Sequence, residues 1–336
     1  MKLTGLLQRA WKRHGVLASL LYPLAAVFTA LVVARRAMYR HGILSGARLP
    51  VPVIVIGNIT VGGSGKTPLT LWLVDALQAR GFRPGVVSRG HGGIGQVAEV
   101  LVDGDASLVG DEPLMIKQRA GLPVFVGRDR VAAARALIAA HPGCDLIVAD
   151  DGLQHYSLVR DIEIAVVDGR GLWNGWPLPA GPLREPSSRL ARVDALVVNG
   201  PPPRLPRDAA GPAQFRMRLI GDTFHALADP GRTCAAAELS GLRLAAVAGI
   251  GDPGRFFGHL TALGLSYRGY AFPDHHRYLR ADLEAIEADA LLMTEKDAVK
   301  CAGLTDRPVW VLPDTARVEP DLVALVMEKL DGRPPA

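Results

Sequence analysis

The feature that most constrains the fold is a glycine-rich loop between a strand pattern and a helix pattern. Residues 51–56 are apolar and mostly β-branched, as in a buried parallel strand. The sequence GNITVGGSGKT follows at residues 57–67, and residues 68–80 have a helical pattern that ends at Gly81. Because a helix N-terminus behind a glycine loop presents free N–H groups and a positive dipole end, this order predicts a phosphate-binding loop.

Each residue type in this loop suits the binding of a nucleoside triphosphate. Glycines let backbone N–H groups close around phosphate oxygens, the lysine reaches the β- and γ-phosphates, and the threonine hydroxyl coordinates Mg²⁺. We therefore predict that ATP and Mg²⁺ bind here, and that eight consecutive residues contact the nucleotide: Thr60, Val61, Gly62, Gly63, Ser64, Gly65, Lys66 and Thr67.

The loop departs from the strict pattern G-x-x-x-x-G-K-[ST] at one position, because Thr60 stands where the first glycine is expected. The alternative is a chance GSGKT in a turn, and the flanking strand and helix argue against it. A lysine just before the two glycines would mark a group of dimeric ATPases. Val61 at that position argues against that group.

Strand and helix patterns alternate beyond the loop and predict an α/β fold. Apolar strand patterns recur at five further places: residues 85–88, 123–126, 146–149, 162–167 and 195–198. Helical patterns, such as residues 129–140, lie between several of them. We expect a mostly parallel sheet of P-loop NTPase type with helices on both faces, whose ligands gather at the carboxyl ends of the strands.

An apolar strand pattern that ends in two carboxylates predicts a second part of the phosphate site. Residues 146–149 read LIVA, and Asp150 and Asp151 follow them. An aspartate at this place in P-loop enzymes holds Mg²⁺ directly or through water. The alternative is a cap or turn, because aspartate is common where a strand ends.

Three further charged residues are ambiguous when they are taken singly. Asp111 precedes the helical pattern 114–120 and could serve only as its N-cap. Arg184 and Glu185 lie in the proline-bounded loop 181–186. They could bind phosphate and metal, or they could form an ordinary surface ion pair.

The second half of the chain contains a motif that suggests a different cofactor. The sequence GIGDPG at residues 249–254 follows a strand pattern and matches the dinucleotide fingerprint G-x-G-x-x-G. Its late position and its proline favour a simple helix start. Polar clusters follow two further strand patterns, at residues 274–276 (DHH) and 294–297 (TEKD). An aspartate beside a histidine can form a general-base pair or a metal site, or can lie in a plain surface turn.

The N-terminal segment is apolar and flanked by basic residues. Residues 15–34 carry no charge, and residues 1–74 hold nine Lys or Arg and no Asp or Glu. Twenty such residues could just cross a bilayer, but Pro23 interrupts them and basic residues at both ends leave the orientation open. A helix in the membrane interface fits equally well, and we favour such a peripheral or monotopic contact. A cleaved signal peptide or a buried helix of a soluble domain are the alternatives.

Charge argues against a nucleic-acid-binding protein, and cysteine content indicates the compartment in which the protein works. The net charge is +5, but beyond residue 74 the chain carries 29 basic and 33 acidic side chains. The positive excess therefore belongs to the N-terminal end and does not indicate a nucleic-acid surface. The three cysteines, Cys144, Cys234 and Cys301, form no C-x-x-C and are typical of thiols in a reducing compartment.

Taken together, six motifs resemble those of the tetraacyldisaccharide 4'-kinases, the lipid A kinases of Gram-negative bacteria. In chain order they are residues 57–68, 110–113, 150–155, 181–186, 274–275 and 294–297. The resemblance covers almost the whole chain, including the apolar N-terminal segment. Members of this family commonly carry Ser or Thr at the place of Thr60, so the missing glycine becomes a family feature.

The resemblance implies an enzyme that transfers the γ-phosphoryl group of ATP to the 4'-hydroxyl of a tetraacylated glucosamine disaccharide 1-phosphate. The product would be lipid IVA, in lipid A (lipopolysaccharide) biosynthesis at the cytoplasmic face of the inner membrane. We expect a membrane-associated helix at residues 1–36, a P-loop kinase domain at 37–212, and a smaller α/β domain at 213–336 that closes the active-site cleft. No nucleic-acid partner is expected.

The resemblance also implies roles for single residues. Asp111, paired with His275, would be the base, and the adjacent His276 leaves the choice of histidine open. Lys66 and Arg184 would neutralise the phosphoryl group in transfer. Mg²⁺ would be held by four side chains: Thr67, Asp150, Asp151 and Glu185.

Two other functions are compatible with parts of the sequence. One is a P-loop ATPase or GTPase that acts as a switch or assembly factor at the membrane. The other is a dinucleotide-binding module at residues 249–254. A cleft that contained Asp111, Glu185 and His275 together would favour the kinase, because a switch protein needs no base.

Overall fold

The structure, a computed structural model, describes residues 7, 9–209, 211–319 and 321–332. The beginning of the predicted segment 1–36 and the end of the predicted segment 213–336 lie outside the described residues. In chain order the strands are β1 (Val53–Gly57), β2 (Pro84–Ser88), β3 (Ala98–Glu99), β4 (Val124–Val126), β5 (Leu146–Asp150), β6 (Ile162–Asp168), β7 (Ala195–Asn199), β8 (Ala213–Ile220), β9 (Thr223–Ala226), β10 (Thr233–Ala235), β11 (Leu244–Ala248), β12 (Tyr267–Ala271), β13 (Ala290–Thr294), β14 (Val309–Leu312) and β15 (Thr315–Glu319).

Helices cover both faces of the strands. In chain order they are α1 (Val16–Arg40), α2 (Lys66–Gln78), α3 (Ala106–Val109), α4 (Asp111–Ala120), α5 (Arg130–Ala140), α6 (Pro253–Ala262), α7 (Arg280–Glu284), α8 (Glu295–Ala298) and α9 (Leu322–Asp331). A short 3₁₀ helix, Ser187–Arg192, precedes β7.

The strands form two sheets. The larger has nine strands in the order β15-β8-β7-β6-β1-β5-β2-β4-β3, and the smaller has six in the order β10-β9-β14-β13-β11-β12. In the larger sheet all neighbours from β8 to β4 are parallel, and the edge strands β15 and β3 are antiparallel to their neighbours. This is the parallel sheet that the alternating patterns predict.

The central strand β1 is buried on both faces because its alternate side chains enter two separate apolar cores. Ile54 and Ile56 pack in the core that includes α2, and Val53 and Val55 pack in the core that includes α5. All four side chains are at most 1% exposed. Full burial of each such side chain stabilises the fold by roughly 1.5–3 kcal/mol.

The glycine loop lies where the strand order changes direction. After β1 the chain moves through α2 to β2, on the side of β5, and later returns to β6 on the other side of β1. The carboxyl ends of β1, β5 and β6 therefore border a crevice between oppositely directed connections. Ligands of open α/β sheets bind in such a crevice, so the topology supports the predicted position of the site.

Sheet membership does not follow the predicted domain limits along the chain. β8 begins at Ala213 and extends the larger sheet, and β15 pairs with β8 and covers its edge. α9 also packs into the core of the larger sheet, through Leu322, Val323 and Val326. The smaller sheet thus comprises strands between Thr223 and Leu312, and the limits at residues 212 and 213 stay a prediction.

α1 lies on the surface with most of its apolar side chains exposed. It is long and apolar enough to cross a membrane, and only 11% of its most apolar 18 residues are buried in the protein. Ala18 and Ala25 are its buried residues. The chain before it is attached to the protein through Trp11, whose indole N–H donates to the Pro179 carbonyl at 2.9 Å. A buried core helix would show the opposite exposure.

Candidate active site

The phosphate loop is held in shape by two asparagines. The Asn58 amide donates to Thr60 Oγ1 at 3.2 Å and to Ser64 Oγ at 3.0 Å. The Asn199 amide, at the end of β7, donates to the Ser64 carbonyl at 3.0 Å. α2 then begins at Lys66, and its first N–H groups have no carbonyl partner within the helix. Backbone donors of this kind are what a phosphate group requires.

Two glycines of the loop differ in what surrounds them. Gly65 has φ of +96°, and a Cβ there would lie 2.5 Å from Asn199 Nδ2 and 2.9 Å from Met217 Cε. Gly63 would place a Cβ with no described heavy atom within 4 Å. Gly65 is therefore needed for the fold of the loop, whereas Gly63 leaves free the space that a phosphate group would fill.

These surroundings predict different outcomes for two matched variants. Gly65→Ala should lower the free energy of unfolding by about 1–2 kcal/mol from its left-handed backbone alone, and by more if Asn199 must move. Gly63→Ala should leave the free energy of unfolding unchanged and should weaken only ATP binding. Denaturant unfolding without nucleotide, together with ATP titration, measures both quantities. Equal destabilisation by the two variants would contradict this account of the loop.

Lys66, Asp151 and Arg184 form a charged cluster beside the loop. Lys66 Nζ lies 3.7 Å from Asp151 Oδ1, and Arg184 Nη1 lies 3.1 and 3.2 Å from the two Asp151 oxygens. Burial opposes ionisation of Asp151, but the two cations together lower its pKa to about 2. Asp151 also has a left-handed φ of +49°, which is uncommon outside glycine and concentrates at functional sites.

Arg184 reaches this cluster because its loop pairs with the phosphate loop. The Val61 N–H donates to the Pro182 carbonyl at 2.9 Å, and the Arg184 N–H donates to the Ile59 carbonyl at 2.6 Å. Residues 181–186 thus continue the hydrogen bonding of the phosphate loop. Arg184 therefore pairs with Asp151 beside the phosphate loop and not with Glu185.

Asp150 is fully buried at the end of β5 and is only partly satisfied. Its Oδ1 accepts a hydrogen bond from Thr70 Oγ1 at 2.9 Å, and its Oδ2 has no partner among the described residues. Burial, with the nearby charges of Glu112 and Asp151, raises its pKa to about 7. A buried carboxylate oxygen without a donor beside a triphosphate loop fits the binding of a cation, which would restore its charge.

Glu185 differs from what is expected of a metal ligand. It is 1% exposed, and its carboxylate accepts hydrogen bonds from Gln154 Nε2 at 2.8 Å and from the Tyr156 hydroxyl. Arg189 Nε lies 3.6 Å away and Arg36 Nη1 lies 3.9 Å away. Both oxygens are therefore engaged by protein donors, and the predicted metal role of Glu185 stays a prediction without geometric support.

Asp111 and His275 meet across the two sheets. Asp111 is the first residue of α4, and His275 lies in the loop after β12. His275 Nδ1 lies 3.1 and 3.0 Å from the two Asp111 oxygens. Burial opposes ionisation of Asp111, but the bond with His275 and the charges of Lys296 and Lys300 lower its pKa, while the same bond raises the pKa of His275.

Only one of the two adjacent histidines contacts Asp111. His276 points to Asp282, with its Nε2 3.1 Å from the Asp282 Oδ2, and its ring packs against Phe272. His275, with a left-handed φ of +58°, is the histidine that contacts Asp111. Asp111 is also not a helix cap, because Gly110 occupies the N-cap position of α4.

Cationic side chains near α8 hold the pair from the side of the smaller sheet. Lys300 Nζ lies 3.7 Å from Asp111 Oδ2, and Lys296 Nζ lies 3.1 Å from Glu112 Oε1. Lys296 Nζ also lies 3.4 Å from His275 Nε2. The motif TEKD at residues 294–297 therefore contributes contacts that join the two sheets at the site.

The Asp111–His275 contact should give stability a defined pH dependence. Because the pKa of His275 is raised, its contribution to the free energy of unfolding is complete below pH 6.5. That contribution is lost as pH rises through the pKa of His275 in the folded protein. The lowered pKa of Asp111 means that its contribution is present above pH 3.8 and is lost as pH falls through the folded pKa. The contact should therefore stabilise most between pH 3.8 and 6.5.

Unfolding by denaturant as a function of pH measures this effect. The difference in unfolding free energy between the wild type and His275→Gln should shrink as pH rises above 6.5. In an Asp111→Asn background, the effect of His275→Gln on the free energy of unfolding should no longer decline with pH, because the charged partner of the histidine is absent. A difference that stays constant from pH 5 to pH 9 would contradict the ionic character of the contact.

The first glycine of the loop at residues 249–254 contacts buried side chains of the protein. The buried Asp297 carboxylate accepts a hydrogen bond from the Gly249 N–H at 3.0 Å. A Cβ at Gly249 would lie 2.8 Å from the Tyr278 hydroxyl oxygen. The first N–H group of the loop is thus already paired with an internal carboxylate, which argues against the dinucleotide interpretation.

The sequence motifs above do not include three basic residues near the site. Arg89 and His91 follow β2 in a glycine-rich loop, and the His91 ring lies 4.8 Å from the His275 ring. Arg130 is buried with its Nε and Nη2 unpartnered among the described residues, and burial lowers its pKa to about 10. The sequence SRGHGG directly after a parallel strand was the signal that could have identified this loop.

Comparison with known proteins identifies the family to which a chain with this phosphate loop and this Asp–His contact belongs. Residues 17–331 match the family profile described as Tetraacyldisaccharide-1-P 4'-kinase. The chain belongs to this family. It is 53% identical to the tetraacyldisaccharide 4'-kinase of Azoarcus sp. (strain BH72) over 97% of this chain and 96% of that one. It is 50% identical to that of Dechloromonas aromatica (strain RCB), over 97% and 98%.

The fold has a counterpart among solved structures. A crystal structure of LpxK from Aquifex aeolicus in complex with ATP superimposes with a TM-score of 0.80 at 28% identity, covering 94% of this chain and 100% of that one. The predicted family, the predicted α/β fold class and the predicted kinase activity are confirmed. This chain is an ATP-dependent phosphotransferase that acts on an alcohol group of a lipid A precursor.

Proposed function

We propose that Asp111 is the base with which this chain phosphorylates the 4'-hydroxyl of a tetraacyldisaccharide 1-phosphate. The proposal is carried by the contact of the buried Asp111 with His275, together with the charged cluster of Lys66, Asp151 and Arg184. The two groups are neighbours, because Glu112, next to Asp111, is close enough to raise the pKa of Asp150, next to Asp151. The Asp111–His275 contact suits an acceptor hydroxyl, and the charged cluster suits a triphosphate. A switch protein would need only the charged cluster.

Transfer moves a proton to Asp111, forms a bond between the acceptor oxygen and the γ-phosphorus, and releases ADP. Asp111 takes the proton of the sugar hydroxyl while that oxygen bonds to the γ-phosphorus. The bond from the γ-phosphorus to the bridging oxygen breaks, and ADP leaves with the electron pair. His275 holds the carboxylate in place, and its hydrogen bond with Asp111 lowers the pKa of that carboxyl group, which favours the ionised form before the transfer.

Cationic side chains neutralise the charge that develops during transfer. Lys66 and Arg184 share Asp151 in the structure, so their cationic groups lie together beside the loop. Mg²⁺ would be held by Thr67 and by Asp150, whose Oδ2 accepts no hydrogen bond from the described residues. Asp151, whose two oxygens are engaged by Arg184, would act on the ion through water. When bound, the ion would supply charge neutralisation of the β- and γ-phosphates.

The direct test is incubation with γ-labelled ATP, Mg²⁺ and the tetraacyldisaccharide 1-phosphate. The label should appear in the lipid as a 4'-phosphate, in a one-to-one ratio with ADP. Label recovered only as free phosphate would contradict the acceptor and would favour a hydrolysing switch. A disaccharide lipid without a free 4'-hydroxyl is the control and should give no labelled lipid.

We also propose that α1 attaches the enzyme to the cytoplasmic face of the inner membrane, where the acylated substrate lies. The helix exposes an apolar stripe that contains Leu20, Leu24, Val27 and Leu31, which are 60–72% exposed. Their spacing places them on one face, opposite the small residues that contact the protein. Burial of such a stripe in the membrane interface would remove it from water.

A triple substitution within the stripe tests the attachment. Leu20→Gln/Leu24→Gln/Leu31→Gln should weaken partitioning onto lipid vesicles by at least tenfold, because each leucine contributes roughly 1.5–3 kcal/mol when fully buried. Co-sedimentation with vesicles measures the partition constant. The matched control carries the same change at three exposed leucines elsewhere: Leu101, Leu108 and Leu242. Equal loss in both variants would overturn the attachment through α1.

A further inference from the structure

A second cleft lies between the end of α1 and the body of the protein. It has a volume of about 470 Å³, and the residues that line it include five arginines and one glutamate. We call it the arginine cleft and define it by these six residues: Arg36, Arg40, Arg160, Glu163, Arg189 and Arg192. None of the six belongs to the proposed phosphoryl-transfer site.

The arginine cleft has more positive charge than its carboxylates can neutralise. Glu163 is shared by Arg160, whose Nη1 lies 3.0 Å away, and by Arg189. Within the described part of the chain, Arg192 has no hydrogen bond or ion pair, and Arg40 contacts only the His41 ring nitrogen, at 3.3 Å. Two guanidinium groups are therefore available to an anion.

Other arginines of the cleft are held in fixed orientations. The Arg160 and Arg189 guanidinium carbons lie 5.1 and 5.9 Å from the centre of the Tyr156 ring. Glu163 fixes the same two groups from another side. Arg160 also donates to three backbone carbonyls, those of Leu153, Leu158 and His155, so these two arginines form the wall of the cleft. The planar forks of Arg40 and Arg192 are the ones that match the oxygens of a phosphate group.

The position of the cleft specifies what carries the phosphate. Arg36 and Arg40 stand one turn apart in the last turns of α1, and the exposed apolar stripe of Leu20 to Leu31 precedes them on the opposite face of the same helix. A helix that buries its apolar face at the acyl boundary of a membrane keeps its basic face at the level of the headgroups. The cleft would therefore lie where the phosphate groups of acylated lipids are.

We propose that the arginine cleft binds the phosphate headgroup of an acylated lipid. The inference rests on the proposed attachment of α1 to the membrane and adds a specific headgroup site to it. Two sources share this chemistry: an anionic phospholipid of the bilayer, and the phosphate that the lipid substrate already carries. The site would orient the enzyme on the membrane in the first case and the substrate in the second.

The test uses the double variant Arg40→Gln/Arg192→Gln in the full chain. Both side chains are exposed, so the fold should be retained. The matched control is Arg216→Gln/Arg218→Gln, which removes the same charge from exposed positions of β8. A third variant, Arg40→Lys/Arg192→Lys, keeps the charge and removes the planar fork.

Two measurements separate the two sources of phosphate. In co-sedimentation, affinity for vesicles of phosphatidylcholine with phosphatidylglycerol should fall about tenfold in the glutamine variant, with affinity for pure phosphatidylcholine unchanged, if a bilayer lipid is bound. In neutral detergent micelles, the KM for the tetraacyldisaccharide 1-phosphate should instead rise about tenfold, with the KM for ATP unchanged, if the substrate is bound. Either result supports the site and identifies its ligand.

Two outcomes would overturn the proposal. One is a glutamine variant that equals the β8 control in both measurements. The other is full recovery in the lysine variant, since only local charge would then matter and no built phosphate site would exist. Failure of the kinase proposal is distinguishable, because vesicle binding is measured without turnover. Failure of membrane attachment would appear as weak vesicle binding by the wild type, and the KM measurement in micelles would then decide.

Discussion

Replacing Asp111 with asparagine should lower kcat by a factor of about 10²–10⁴, the usual contribution of a general base, and should leave the Kd for ATP nearly unchanged. The amide has the shape of the carboxylate and can still accept a hydrogen bond from His275, but it cannot take the proton of the acceptor hydroxyl. Steady-state kinetics at saturating lipid, together with ATP titration by fluorescence or calorimetry, measure the two quantities separately.

The matched control is the adjacent carboxylate. Glu112→Gln removes a negative charge one residue away, which is paired with Lys296 at 3.1 Å, and should lower kcat by less than tenfold. If both variants lost activity equally, local charge and not proton transfer would explain the effect. If Asp111→Asn lost ATP binding instead of kcat, Asp111 would hold the nucleotide and the base assignment would be wrong.

Replacing Lys66 with alanine should lower kcat by about 10³ or more, because preorganised charge beside the transferring phosphoryl group is a large part of catalysis in this chemistry. The variant also removes one of the two cations that hold Asp151 ionised, with its pKa at about 2. Arg184 remains 3.1 Å from Asp151, so the folded loop should persist.

Single-turnover phosphoryl transfer and thermal unfolding of the variant check these two expectations. Lys117→Ala is the control, because Lys117 donates to the Leu122 carbonyl at the end of α4 and does not join the cluster. It should retain the wild-type rate. A Lys66→Ala enzyme that kept more than a tenth of the wild-type rate would show that Arg184 and the metal neutralise the phosphoryl group without the lysine.

Residue roles at the site differ in how well the sequence could specify them. The loop at residues 57–67 can be recognised from the sequence, because its strand, glycines and helix are local. Asp150 and Asp151 were also found locally, as the polar end of an apolar strand. Arg184 and Glu185 are adjacent in sequence, yet one lies in the charged cluster and the other is enclosed by Gln154, Tyr156 and Arg189. No local pattern distinguishes two such neighbours.

The sequence by itself determined the parallel α/β fold, the phosphate loop and the kinase family, because these depend on short-range periodicity and on motifs in a fixed order. Only the tertiary structure decided which histidine meets Asp111. It also showed that an internal carboxylate pairs with the first N–H of the glycine loop of residues 249–254, and that α1 leaves its apolar stripe exposed. The physical reason is that these contacts join residues far apart along the chain: Asp111 and His275 are separated by 164 positions. Packing of two sheets, and not spacing in the sequence, brings them to 3.0 Å.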